Sequence, residues 1–140
     1  ANQLAEMLRG HLPQAMQGLA VVPIFAGFDP AHEAGRLFQF DVTGGRYEEQ
    51  DFATSGSGSL HAGTVVKLGY SRDLSESDAL FLAVKALWHA ADEDSATGGP
   101  DPIRGIYPVL AVLDGEGFRQ LSDEESGAVF ADFRHELTEG

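Results

Sequence analysis

Apolar positions along the chain alternate between a helical and an extended period. Leu4, Met7, Leu8, Leu12, Ala15 and Met16 recur at helical spacing, with Glu6, Arg9 and Gln17 on other faces, which predicts an opening helix. Pro13 lacks an amide donor and clashes with the preceding turn, so it should kink or split that helix near His11. Gly18 is the expected stop. Leu19–Gly27 then reads as a mostly buried strand, within which Pro23 calls for an edge or a bulge. Asp29-Pro30 opens a turn, Arg36–Val42 reads as a second strand, and Gly44-Gly45 marks a hairpin into a third strand, Arg46–Ala53. These three are expected to lie side by side, antiparallel.

Beyond the glycine-serine segment Gly56–Ser59, Leu60–Tyr70 reads as a short helix. Ser75 is a good N-cap for Glu76–Ala91, which is apolar nearly all round (Leu80, Phe81, Ala83, Val84, Leu87, Trp88). Such a helix is normally covered on two sides. Asp92–Asp94 ends it, and Thr97–Pro100 is a loop by composition. Ile106–Leu113 predicts a buried strand, Asp114–Gly117 a turn and Phe118–Leu121 its return. Ser122-Asp123-Glu124-Glu125 fits a capping box for a last helix to about Thr138, with Val129, Phe130, Phe133 and Leu137 facing inward. Strands and helices come in blocks, which favours an α+β fold of packed layers over a doubly wound parallel sheet. With neither an internal repeat nor a boundary in view, residues 1–140 read as a single domain.

Charge narrows the possible partners. The formal net charge is −13, and only nine Lys and Arg are scattered along the chain, which argues against nucleic acid and against an anionic membrane surface. The chain has no cysteine, which excludes a disulfide scaffold and a thiol nucleophile and agrees with a cytoplasmic location. No apolar run approaches the roughly 20 residues of a membrane span.

Three segments carry candidate chemistry. Gly56–Ser59 leads into a helix, which raises a phosphate cradle. However, the lysine of a P-loop and the third glycine of a dinucleotide fingerprint are both missing, so a tight turn needing glycine dihedrals is the plainer reading. Asp92, Glu93, Asp94 and Asp101 invite calcium, but without the alternating ligands of an EF-hand. Negative charge at a helix C-terminus opposes the helix dipole, which hints at another task for Asp94. The five histidines, His11, His32, His61, His89 and His135, show no paired ligand spacing, and no Ser-His-Asp set can be placed.

Taken together, the motifs resemble a known family. Gly56-Ser57-Gly58-Ser59-Leu60 precedes Asp94-Ser95-Ala96-Thr97-Gly98-Gly99, with an apolar helix leading into the second. Ala15–Leu19, Gly98–Asp101 and Arg104–Pro108 support the same likeness. Over essentially its whole length the chain resembles the C-terminal portion of actinobacterial proteasome β-subunits, which are N-terminal-nucleophile hydrolases. The resemblance implies a four-layer α-β-β-α sandwich, here incomplete because the early strands and first helix have no counterpart. It implies a threonine-type endopeptidase whose N-terminal threonine attacks the peptide carbonyl with its own amine, or a water held by it, as base. Ser57 matches the serine that hydrogen-bonds that amine. Asp94 and Thr97 match the aspartate and hydroxyl residue that orient the same corner; many members carry serine at the latter position. In some members backbone carbonyls near this loop hold a cation, which would place Ala91, Asp94 and Thr97 around it.

The family pattern is not fully met. Ala1 has no nucleophilic side chain, and the threonine, its lysine and acid partners and most of the specificity pocket are unmatched. The 140-residue chain is therefore expected to be inactive alone, with Ser57, Asp94 and Thr97 as supporting residues. The resemblance calls for no cofactor. Expected partners are other β-subunits in a homo-heptameric ring, α-subunits, a regulatory ATPase ring and protein or peptide substrates. Two alternatives stay open: a non-catalytic assembly or interaction module complete in 140 residues, and a small phosphate-binding domain.

Overall fold

A computed structural model describes residues 22–139. The expected opening helix, its Pro13 kink, the Gly18 stop and the first residues of the Leu19–Gly27 strand lie outside the described residues. Contacts divide the chain into two compact units, the first containing residues 22–56 with Leu113–Gly117, the second Ser57–Val112 with Phe118–Gly140.

In the first unit, β1 (Ile24–Asp29), β2 (Ala34–Phe40) and β3 (Arg46–Glu49) form an antiparallel sheet in that order. Ile24 faces Gln39 across the first pair and Leu37 faces Glu49 across the second. Each strand differs at its ends from the sequence expectation. Pro23 lies before β1 rather than inside a strand, so its missing donor leaves no gap in the ladder. β2 stops at Phe40 rather than Val42 because Asp41 turns the chain. Its carboxylate accepts from the Thr43 amide (2.9 Å), the Thr43 hydroxyl (2.6 Å), the Gly45 amide (2.8 Å) and the Tyr47 hydroxyl (3.0 Å). Gly44 completes this turn at φ 85°, where a Cβ would be strained. β3 ends at Glu49 rather than Ala53, and the Thr54 carbonyl instead accepts from the Gln39 side chain at 2.8 Å.

These donors, the Thr43 hydroxyl foremost, then the Gly45 amide and the Tyr47 hydroxyl, lower Asp41 from 3.8 to about 2. A carboxylate whose folded pKa is depressed stabilises the fold fully above its unfolded value and loses that contribution as pH falls through the folded one. The Asp41 turn is therefore expected to hold at pH 4 and to loosen between there and about 2. Amide chemical shifts of Thr43 and Gly45 followed through acid should show this step, and Asp41→Asn should remove it. Shifts that stay flat down to pH 2 would contradict the assignment.

The second unit holds α1 (Ser59–Gly69), α2 (Glu76–Glu93) and α3 (Asp123–Glu139); the hairpin of β4 (Ala111–Asp114) and β5 (Gly117–Gln120), between α2 and α3 in sequence, is divided, its tip Leu113–Gly117 belonging to the first unit. The Ser75 hydroxyl caps α2 by accepting from the Asp78 amide at 3.1 Å. Ser122 and Glu125 form the expected capping box, the Glu125 amide donating to Ser122 (3.1 Å) and the Ser122 amide to Glu125 (3.0 Å). The Arg119 guanidinium joins both helix starts, bonding Glu76 and lying 3.6 Å from Glu125.

α2 is covered on two sides, as its all-round apolar pattern implies. On one, Val84 packs with Leu110, Leu121, Phe130 and Phe133. On the other, Ala86 and Ala90 meet Ala62 of α1, and these small side chains let the two helices approach closely. Leu137 does not face inward as its spacing suggested; it lies 43% exposed near the end of α3. The strand expected over Ile106–Leu113 is shorter. Only Ala111–Asp114 is regular, because Pro108 cannot donate and Ile106 pairs back with Asp101 in an isolated bridge. No helix among the described residues is long and apolar enough to cross a membrane.

Candidate functional site

The second unit brings the start of α1 against the end of α2. Gly56 adopts φ 105°, a turn conformation that favours glycine, and delivers Ser57 and Gly58 to the helix start. Gly58 is the N-cap residue, and its carbonyl accepts the first helical bond from the Ala62 amide at 3.0 Å. At the other end, Asp94 is the C-cap of α2, extended at φ −120° and ψ 113°, with its amide still bonded to the Ala90 carbonyl at 2.8 Å. A turn follows, closed by the Thr97 amide on the Asp94 carbonyl at 3.0 Å.

The three side chains singled out from the sequence converge here. One carboxylate oxygen of Asp94, Oδ2, accepts from both the Ser57 hydroxyl and the Thr97 hydroxyl, the latter at 2.6 Å. The other oxygen accepts from the Ala96 amide at 3.2 Å. The Ser57 hydroxyl bond, then the Thr97 bond and the Ala96 amide, hold the Asp94 carboxyl below its ordinary value against the opposing effect of burial. His61, in the first turn of α1, adds a small Coulombic contribution in the same direction. These donors offset the unfavourable position of a carboxylate at a helix C-terminus. Hydrogen bonds from Ser57, Thr97 and Ala96 thus hold the Asp94 carboxylate at this helix end.

The arrangement limits the chemistry. Both hydroxyls donate to the Asp94 carboxylate, whose lowered carboxyl makes it a weak base for turning either oxygen into a nucleophile. Each hydroxyl oxygen keeps lone pairs and can accept from an incoming donor such as an amine. The phosphate reading fails on charge, because the Asp94 carboxylate sits at the very helix start where the anion would bind. Of the acidic cluster, Asp92 and Glu93 are exposed and Asp101 holds its own loop through the Arg104 amide at 3.2 Å. No group of three or more His, Asp or Glu suited to a metal occurs among the described residues. The carbonyls of Ala91, Asp94 and Thr97 are neutral oxygens of the kind a hard cation accepts. Calcium takes six to eight oxygens, so the rest of its shell would come from water or other residues, and the Asp94 carbonyl also accepts from the Thr97 amide.

The remaining histidines are structural or exposed. His89 stands edge-on to Trp88 at 5.0 Å, His32 bonds Asp29 at 2.7 Å, and His135 lies 3.5 Å from Glu139. His11 lies outside the described residues. Sequence reasoning missed the part played by Gly58. Its backbone (φ −91°, ψ 8°) needs no glycine, but a Cβ there would meet Thr97 Oγ1 at 2.7 Å. The alternation of glycine and serine carries no mark that separates a dihedral need, at Gly56, from a need for room, at Gly58.

Beside the same loop, an apolar groove is lined by Leu87, Gly99, Pro100, Ile106, Tyr107 and Val109. Val109 is 78% exposed and nearby Ile103 is 98% exposed.

The family model described as "Proteasome subunit" matches residues 1–103. The chain is 55% identical over 129 residues to a proteasome subunit beta of Streptomyces griseus, covering 92% of this chain and 46% of that protein. It is 56% identical over 123 residues to the proteasome subunit beta of Acidimicrobium ferrooxidans, covering 88% and 45%. With the counterpart from Acidothermus cellulolyticus the identity is 54% over 133 residues, covering 92% and 46%. The chain thus spans a little under half the length of these curated relatives.

Proposed function

This chain belongs to the proteasome subunit family, and from that premise we propose that it is the C-terminal portion of a bacterial β-subunit whose full-length form is a threonine-type endopeptidase. The observation that carries the reading is the convergence of Ser57 and Thr97 on Asp94. In the full subunit this corner receives the amine of an N-terminal threonine and orients it, the hydroxyl oxygens accepting its N–H groups while Asp94 holds their protons. The nucleophile and its base come from outside residues 1–140. An oxyanion donor from the same outside part completes the chemistry.

The fold fits within this reading as part of a four-layer α-β-β-α sandwich, a single domain whose other half covers the groove beside Tyr107 and the exposed Val109. Assembly follows the family: a homo-heptameric β-ring, α-rings and a regulatory ATPase ring in the cytoplasm, with proteins or peptides as substrate. An apolar surface such as that around Ile103 and Val109 is suited to burial against further chain or a neighbouring subunit.

Two preparations test the proposal together. A polypeptide of residues 1–140 alone is expected to release no product from a fluorogenic peptide. The full reading frame, expressed with α-subunits, is expected to cleave it and to yield a mature β-subunit beginning with threonine. Peptidase activity of the 140-residue polypeptide, or an active full-length protein without an N-terminal threonine, would overturn the proposal.

A further inference from the structure

We infer that Gly58 is a positioning residue, whose missing side chain lets the start of α1 come close enough to α2 for Ser57 to reach Asp94. A Cβ at this position would lie 2.7 Å from Thr97 Oγ1, 3.1 Å from Ala90 Cβ and 3.5 Å from Asp94 Oδ2. None of these neighbours can step aside at low cost. Thr97 Oγ1 is held by its 2.6 Å bond to Asp94. Ala90 has no rotamer to change and, 2% exposed on α2, clusters with Ala62 of α1. Asp94 is fixed by three donors. The backbone at Gly58 (φ −91°, ψ 8°) lies in the bridge region that non-glycine residues adopt in type I turns, so no left-handed conformation calls for glycine and the need is for room.

An added methyl must therefore move the segment that carries Ser57, the adjacent residue, away from the carboxylate. Overpacking of this kind is relieved by shifts of backbone rather than by compression. Gly58 touches no substrate in this account; it acts through Ser57, Asp94 and Thr97. Its bearing on peptidase chemistry rests on the function proposed above, whereas its effect on the corner does not.

The test reads the corner directly in the full-length subunit, through its unfolding rather than its turnover, so it does not depend on activity. Ser57→Ala and Asp94→Asn are combined in a double-mutant cycle, with unfolding constants measured in denaturant. Their coupling is expected to be about tenfold with Gly58 present. In a Gly58→Ala background it is expected to fall to about onefold. Adding Thr97→Ala to that background removes the atom at 2.7 Å but leaves Ala90 Cβ at 3.1 Å, so it should restore part of the coupling. If Gly58→Ala does not fold, the comparison is made between Thr97→Ala and Gly58→Ala/Thr97→Ala, the second of which should couple Ser57 and Asp94 more weakly. A merely destabilising methyl would lower stability and leave the coupling unchanged, which would overturn the inference. So would a coupling that Thr97→Ala fails to restore even in part. A silent peptidase assay, by contrast, would bear only on the proposed function.

Discussion

Phe133→Ala is expected to destabilise the second unit by about 3–5 kcal/mol, the range for deleting a large aromatic side chain from a core. Phe133 is 1% exposed and forms the hub of an aromatic cluster. Its ring centroid lies 5.9 Å from Phe81, 5.6 Å from Trp88 and 6.5 Å from Phe130. These rings belong to α2 and α3, so removing Phe133 opens a cavity at their main contact. The loss compares with a whole-domain stability of about 5–15 kcal/mol. Trp88 is the single tryptophan, and its contact with Phe133 makes its fluorescence a direct reporter of denaturant unfolding. Phe118, 65% exposed on β5, provides the control: its alanine variant should stay within about 0.5 kcal/mol of the parent. A Phe133 variant as mild as the Phe118 one would mean that this cluster is not the core.

In the full-length subunit, Asp94→Asn is expected to lower kcat about a hundredfold while changing KM little, the signature of misplaced reacting groups rather than weakened substrate binding. The amide keeps the shape of the carboxylate but replaces one acceptor oxygen by a donor. Ser57 and Thr97 must then turn their hydroxyls, each spending a lone pair on the amide and freeing its proton toward the place of the amine. Mass analysis of the β-subunit N-terminus separates this effect from failed maturation, which would also abolish turnover. The sign with pH follows from the lowered Asp94 carboxyl. The ionised corner is intact above the ordinary carboxylate range and is lost as pH falls through the lowered value. A normal kcat in the correctly processed variant would remove Asp94 from the account.

Local patterns in the sequence were readable where the cause was local. The Ser75 cap and the Ser122–Glu125 capping box depend on residues within one turn of each other, and both occur. The Gly44 turn and the antiparallel order of β1–β3 follow from short connections. Errors gathered at strand ends. Asp41 ended β2 early through side-chain bonds that no periodicity encodes, and Ile106 turned back to Asp101 instead of extending a strand. Leu137 fits the inward spacing of α3, yet the packed cluster runs out at Phe133.

The site was less readable from residue spacing. Neither the glycine-serine segment nor the acidic helix end identifies its partner, and the pairing of Ser57 with Asp94 was expected through a family resemblance alone. The sequence by itself determined where helices start, where the chain turns and which faces are apolar, because those depend on interactions between near neighbours. Only the tertiary structure decided that Ala62, Ala86 and Ala90 bring two helices close, that Gly58 is the residue that must be small, and that Asp94 takes both hydroxyl protons. Those outcomes depend on distances between residues far apart in the chain, which packing alone brings to contact.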